Sequence, residues 1–171
     1  MKLVHPPVGT EVVPGAQVEL ALGTAYSYLN KRDRTSAEVA RRLRREGFSS
    51  EIIAQTLALL HDEGTLDDRR FARLFTDDKR ALERWGSERI RRALIQRGVD
   101  SDTAATVVDS EAGETDSSLE SERERALAVL RGRFPECPRN RRDRDRALGV
   151  LLRKGYDPEL ALEALSAYSR D

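Results

Sequence analysis

The sequence has few of the residues that build a thick core or a covalent framework. Of its 171 residues, 5% are aromatic and a single one is cysteine, Cys137. One cysteine cannot form an intramolecular disulfide, so we exclude a disulfide-stabilised secreted fold and expect a reducing, cytoplasmic location. No apolar run approaches the roughly 18 residues that span a bilayer, and we expect no membrane partner.

A net charge of either sign is also missing. The 30 Lys and Arg residues balance 30 Asp and Glu residues, and charged residues make up 35% of the chain against 39% hydrophobic ones. This composition favours thin helical layers with much solvated surface over one large core. The charges are segregated along the chain, so their local sign is more informative than their sum.

Motifs for catalysis are equally scarce. The chain has no Gly-rich phosphate loop, no HExxH and no CxxC, and Cys137, His5 and His61 lie far apart in the sequence. Asp67 and Asp68 are adjacent carboxylates, but no His or Cys pair is available to complete a metal site, and helix capping explains both. We therefore expect a protein that is not an enzyme and needs no cofactor or metal.

What the chain does have is a repeat built around three glycines. A basic helix precedes each of Gly47, Gly98 and Gly155, an aromatic or branched residue follows, and a second amphipathic helix comes next. The register aligns Val39, Ile90 and Ala147, then Leu43, Leu94 and Leu151, then Phe48, Val99 and Tyr156. Each glycine is expected to end its helix with a positive φ. Arrays of similar modules present long surfaces rather than enclosed sites, which favours binding over catalysis.

Composition divides the chain into five parts. Residues 1–15 carry prolines and glycines and are expected to form a flexible arm. Residues 16–65 and 66–112 form the first and second helical modules, each with three helices. Residues 113–118 form an acidic linker and the expected hinge, and residues 119–171 form the third module.

Residues that cap helices and residues that pack in cores can also be predicted. The predicted N-caps are Thr35 or Ser36, Ser49 or Ser50, Ser101 or Asp102, and Asp157. The helix after Asp67 is expected to bury an apolar stripe of Phe71, Leu74, Phe75, Leu82 and Trp85. Trp85 and Tyr156 could stack on nucleobases, but their places in helical stripes favour core packing.

Arginine-rich helix faces supply the candidate binding residues. The guanidinium group makes forked contacts with carboxylates and phosphates, so such faces suit acidic protein surfaces or DNA. The candidates are Arg41, Arg42, Arg44 and Arg45 in the first module, Arg89, Arg91 and Arg92 in the second, and Arg141, Arg142, Arg144, Arg153 and Lys154 in the third. Ordinary solvated faces with ion pairs between successive turns are the alternative. The third module departs from the pattern, with Gly149 at the position of Arg41 and Arg92.

Four segments together resemble the RecX family of recombinase regulators. They are TSAEVARRLRREGFSSEII (35–53), LDDRRFA (66–72), WGSERIRRALIQRGV (85–99) and ALGVLLRKGYDPELALEAL (147–165). The resemblance covers the chain from about residue 18 to its end. It implies an all-α fold of tandem three-helix repeats in an elongated, curved array. It also implies a protein that lies in the groove of the RecA filament, contacts the DNA there, and inhibits ATP hydrolysis and strand exchange.

The leading hypothesis is therefore a monomeric, non-enzymatic regulator of the RecA filament, acting in homologous recombination, DNA repair and the SOS response. The alternative is a stand-alone DNA-binding protein that uses its Arg-rich helices. That alternative predicts tight binding to free DNA with a steep loss in salt, because neutralised phosphates release counterions. The zero net charge and the acidic linker weigh against it, and we expect binding to free DNA to be weak.

Overall fold

The computed structural model describes residues 14–110 and 121–170, and this part of the chain is helical with no strand. Its helices are α1 (Pro14–Leu29), α2 (Ser36–Arg45), α3 (Ser50–Asp62), α4 (Asp68–Glu83), α5 (Ser87–Arg97), α6 (Ser101–Ser110), α7 (Glu122–Arg133), α8 (Arg141–Lys154) and α9 (Pro158–Tyr168). The all-α prediction is confirmed. The acidic linker and residues 1–13 of the predicted arm lie outside the described residues, while Pro14 and Gly15 are helical rather than part of an arm.

The chain divides into two compact units, and the first, Met1–Asp67, contains helices α1 to α3. Apolar residues spaced three and four apart give each helix one buried face. The core they form consists of Ala21, Ala25, Val39, Leu43, Ile52, Ile53, Leu60 and Leu66. The Thr35 hydroxyl accepts a hydrogen bond from the Glu38 amide, and the Glu38 carboxylate accepts one from the Thr35 amide, which completes a capping box at α2.

The second unit, Asp68–Asp171, contains two further sets of three helices, each with its own core. Helices α4 to α6 bury Phe71, Ala72, Ile90, Leu94, Val99, Ala104, Val107 and Val108. Helices α7 to α9 bury Ala126, Leu127, Val129, Leu130, Ala147, Leu151, Tyr156, Ala161, Ala164, Leu165 and Tyr168. The two cores contain no cysteine, and the half-buried Cys137 donates its thiol hydrogen to the Tyr168 carbonyl at the edge of the last one.

The predicted register of the repeat is confirmed by burial. The six residues that lie eight and four positions before the glycines are fully buried. Of the three residues that follow the glycines, Val99 and Tyr156 are buried and Phe48 is half-buried against the core of the first unit. Gly47, Gly98 and Gly155 end their helices with φ values of +91°, +93° and +86°. The same left-handed helix ending therefore recurs three times. Glycine occupies it each time because a residue with a Cβ rarely adopts this conformation.

Two further details of the sequence reading are wrong. The N-cap of α6 is Asp100, whose carboxylate accepts hydrogen bonds from the Asp102 and Thr103 amides, rather than Ser101 or Asp102. Leu74 and Leu82 are 49% and 81% exposed, so they do not belong to the buried stripe of α4. Leu82 keeps the angular position of Phe71, but eleven residues place it roughly 16 Å further along the helix axis, beyond the end of the core.

The α4–α6 and α7–α9 helices are joined by direct backbone contacts inside the second unit. The Gly86 amide donates to the Lys154 carbonyl at 2.9 Å, and the Glu88 amide donates to the Gly155 carbonyl at 3.1 Å. Around this junction, the Glu122 carboxylate accepts hydrogen bonds from both the amide and the hydroxyl of Ser87. The backbones of these two sets of helices are therefore hydrogen-bonded to each other, while the linker predicted as the hinge lies outside the described residues.

Candidate partner-binding surface

The four α2 arginines differ in their exposure. Arg41, Arg44 and Arg45 are exposed, whereas Arg42 is half-buried and pairs with Glu46 at 2.6 Å. A residue two positions from each of two core residues points away from both, which explains the exposure of Arg41. The first unit thus presents three exposed guanidinium groups on one short helix.

The α5 arginines differ more among themselves. Arg91 pairs with Glu88 on its own helix and with Asp109 of α6 at 2.9 Å. Arg92 is exposed, and its Nε donates to the Glu88 carbonyl one turn earlier. Arg89 is half-buried, with its guanidinium 4.0 Å from the centre of the Trp85 ring. Of the predicted α5 residues, Arg92 extends furthest into solvent.

The α8 cluster is split between the two ends of the helix. Arg141, Arg142 and Arg144 are exposed near the N-terminus, and the Arg141 side chain is 96% exposed with Asp145 at 3.9 Å. Arg153 lies at the other end, next to Lys154. The α8 candidates therefore lie in two groups, one at each end of the helix.

Lys154 is held by the junction within the second unit. Its Nζ donates to the Glu83 carbonyl at 2.5 Å. Burial lowers its pKa, and the neighbouring Arg89 and Arg84 lower it further while Glu83 partly compensates. Arg89 also donates to the Arg153 carbonyl at 3.2 Å. The structure therefore brings together three of the predicted residues, Arg89 of α5 and Arg153 and Lys154 of α8.

The predicted set of binding residues omits several cations that have defined structural positions. Arg80 is buried and donates to the Val108 carbonyl at 2.9 Å, and Arg97 stacks on Phe71 at 4.4 Å. Arg84 and Arg133 flank a cleft between α4, α7 and α8, beside the exposed Leu82. A repeat register extended to the first helix of each module would have drawn attention to Arg80, which occupies the position of Leu29.

The predicted aromatic residues lie in the fold rather than on an open face. Tyr156 is 2% exposed, and its hydroxyl donates to the Arg84 carbonyl at 2.9 Å. Trp85 is half-buried and packs edge-on against Phe75, with Lys79 and Arg89 over its ring. The expectation that both rings serve packing is confirmed for these contacts.

Neither a metal centre nor a membrane span is found in the part of the chain that the structure describes. Residues 14–110 and 121–170 contain no group of three or more His, Cys, Asp or Glu side chains placed to hold a metal ion. Within the same residues, no helix combines the length and apolarity needed to cross a bilayer. What the described surface offers is charged helix faces and shallow clefts.

These observations define a class: an all-helical protein of tandem three-helix repeats with arginine-rich outer faces. Family models then identify the family. The model of the first three-helix domain of RecX matches residues 21–60, and that of the second matches residues 67–108. Crystal structures of RecX share the fold. One from Lactobacillus salivarius has a TM-score of 0.79 at 19% identity, with 92% of this chain and 99% of that chain covered.

Relatives that match over most of their length agree with the family models. The regulatory protein RecX of Halorhodospira halophila is 33% identical, over 92% of this chain and 93% of its own length. That of Amycolatopsis mediterranei is 30% identical, over 94% and 90%, and that of Thermobifida fusca is 32% identical, over 91% and 82%. This chain belongs to the RecX family of regulatory proteins.

Proposed function

We propose that this protein is a non-enzymatic, cytoplasmic regulator that binds the RecA–DNA filament and inhibits its ATPase and strand-exchange activities. Its role would be to modulate recombination and repair. Membership of a family of regulatory proteins supports a regulatory role. The observation that carries the proposal is the exposure of Arg41 and Arg92 at the same register position, six residues before Gly47 and Gly98.

The chemistry of these residues suits a polyanionic partner. Core residues at equivalent positions, Val39 and Leu43 in α2 and Ile90 and Leu94 in α5, are buried. They hold Arg41 and Arg92 on the outer faces of these helices. A filament of protein and DNA offers both carboxylates and phosphates, and guanidinium groups bind either with two parallel hydrogen bonds. A tandem array suits a partner that is itself a repeat of identical subunits.

The test is steady-state ATP hydrolysis by RecA assembled on single-stranded DNA, with this protein titrated in below one copy per RecA. We expect hydrolysis to slow progressively and strand exchange to slow with it. Unchanged hydrolysis up to equal concentrations would contradict the proposal.

Free DNA distinguishes the proposal from stand-alone DNA binding. Anisotropy of labelled single- and double-stranded DNA, measured across a salt series, should show weak binding at physiological salt. Binding as tight as that to the filament, with a steep salt dependence, would favour the DNA-binding alternative.

A further inference from the structure

A cleft of about 480 Å³ lies in the second unit, between the C-terminal end of α4 and helices α7 and α8. Its apolar lining comes from Ala81, Leu82, Ala128, Val129 and Val150. Leu82 is the most exposed of the large apolar side chains in the described residues, at 81%. An exposed leucine beside an apolar cleft is a typical anchor point for a partner side chain.

The charged part of the lining is mostly basic. Arg84, Arg133 and Lys154 contribute three cations, and Glu83 contributes one carboxylate, which pairs with Lys79. The Arg84 side chain reaches α7, where its Nη1 donates a hydrogen bond to the Ala128 carbonyl at 3.4 Å. An incoming carboxylate would therefore meet positive charge from two sides of the cleft.

Lys154 lies close to two further cations. Burial is the main cause of its lowered pKa, and the neighbouring cations Arg89 and Arg84 lower the pKa further while Glu83 partly compensates. A carboxylate bound nearby would reduce the repulsion among these three cations. The site thus favours a ligand that carries negative charge.

We propose that this cleft is the docking site for a protein segment in which an apolar side chain is flanked by carboxylates. The inference rests on the proposed function, since the segment would be presented by the protein part of the RecA filament. DNA phosphates would engage the cations but would gain nothing from Leu82 and the apolar floor. The combination of an apolar floor with a basic rim fits an acidic, amphipathic peptide surface better than a nucleic acid.

Gly132 allows the cleft to be blocked without disturbing the fold. It lies on α7 in the cleft wall, and a Cβ added there would meet the far end of the Arg84 side chain at 4.0 Å as its nearest neighbour. Gly132→Leu therefore fills the cleft and improves helix propensity. The matched control is Gly23→Leu on α1, where an added Cβ has no neighbour within 4 Å.

The measurement is co-sedimentation with RecA polymerised on single-stranded DNA with a non-hydrolysable ATP analogue. We expect the unmodified protein and Gly23→Leu to bind alike, and Gly132→Leu to bind at least tenfold more weakly with unchanged circular dichroism. Leu82→Ser, which removes an exposed apolar side chain, should weaken binding fivefold or more.

Each other outcome overturns the inference in a recognisable way. If the unmodified protein does not bind the filament, the proposed function and the docking site fail together. If it binds and both cleft variants bind equally well, the docking site fails and the proposed function stands. If the cleft variants lose affinity for free single-stranded DNA to the same extent as for the filament, the occupant is nucleic acid and the acidic segment is rejected.

Discussion

Arg80 shows how a single charged side chain can belong to the core of a helical module. It is 7% exposed, and its Nη2 donates to the Val108 carbonyl in the last turn of α6. The last carbonyls of a helix lack partners within the helix and carry partial negative charge, so a guanidinium group satisfies both hydrogen bonding and electrostatics there.

We expect Arg80→Met to destabilise the protein by about 1 to 3 kcal/mol, because the Val108 carbonyl then stays buried without this donor. Urea denaturation followed by circular dichroism measures the change. The control is Arg73→Met, at an exposed position of the same helix, where a change within about 0.5 kcal/mol is expected. Equal stability of the two variants would show that Arg80 contributes no more than a surface arginine.

The repeat register contained a signal for Arg80 that the motif-based reading passed over. Ala21 and Ala72 lie 26 residues before their glycines, Ala25 and Thr76 lie 22 before, and Leu29 and Arg80 lie 18 before. A charged residue at the position of a core-packed leucine is worth examining in any repeat. Its partner, 28 residues away, could not be read from the sequence, because it depends on how α4 packs against α6.

At the scale of helices, the junction in the second unit depends on two glycines. A Cβ on Gly86 would lie 2.4 Å from the Gly155 carbonyl oxygen, and a Cβ on Gly155 would lie 2.3 Å from the Cβ of Arg89. No rotation of a side chain relieves such contacts, since each involves backbone atoms or a Cβ fixed to the backbone. The α5 N-terminus and the α8 C-terminus can approach this closely only because both residues lack a side chain.

We therefore expect Gly155→Ala to be much more disruptive than Gly47→Ala. Both residues have positive φ, so each substitution costs about 1 to 2 kcal/mol of backbone strain. Gly47 has no neighbour within 4 Å of an added Cβ, whereas Gly155 also loses the close approach to α5. Thermal unfolding of the two variants, with a larger loss for Gly155→Ala, checks the prediction. An equal loss of thermal stability in the two variants would mean that the close approach of α5 to Gly155 adds nothing to the effect of the substitution.

The sequence identified Gly47, Gly98 and Gly155 as helix terminators and assigned the same role to all three. The difference between Gly47 and Gly155 arises from what packs against each of them. Helix ends follow local rules such as capping and positive φ, which the sequence displays directly. Contacts between helices from different repeats obey no such local rule.

At the scale of the whole molecule, positive and negative charges are equal in number but are concentrated in different places. The net charge is zero, so binding to a polyanion has to come from particular faces rather than from overall attraction. Among the candidate residues, Arg41, Arg44 and Arg92 are exposed, whereas Arg42, Arg91 and Lys154 are half-buried and bonded to groups of this chain.

Replacing Arg41, Arg44 and Arg92 together by Glu should weaken inhibition of RecA ATP hydrolysis at least tenfold while leaving helicity unchanged. The control replaces Arg69, Arg73 and Arg170, also exposed, by Glu and changes net charge equally. Titration of both variants in the ATPase assay gives the comparison. Loss of inhibition in both would point to overall charge, and retention in both would assign the three arginines to an ordinary solvated surface.

The sequence by itself determined the helical class, the threefold repeat, the core positions that follow its register, and the family resemblance. Each of these depends on periodic burial and on capping within a few residues, so Val39, Ile90 and Ala147 could be placed in register before any coordinates. Only the tertiary structure decided which arginines remain on the surface, that the α7–α9 helices are bonded to α4–α6, and that Leu82 borders a basic cleft. Those features depend on residues distant in sequence that meet through packing, and helical periodicity carries no information about which helices meet.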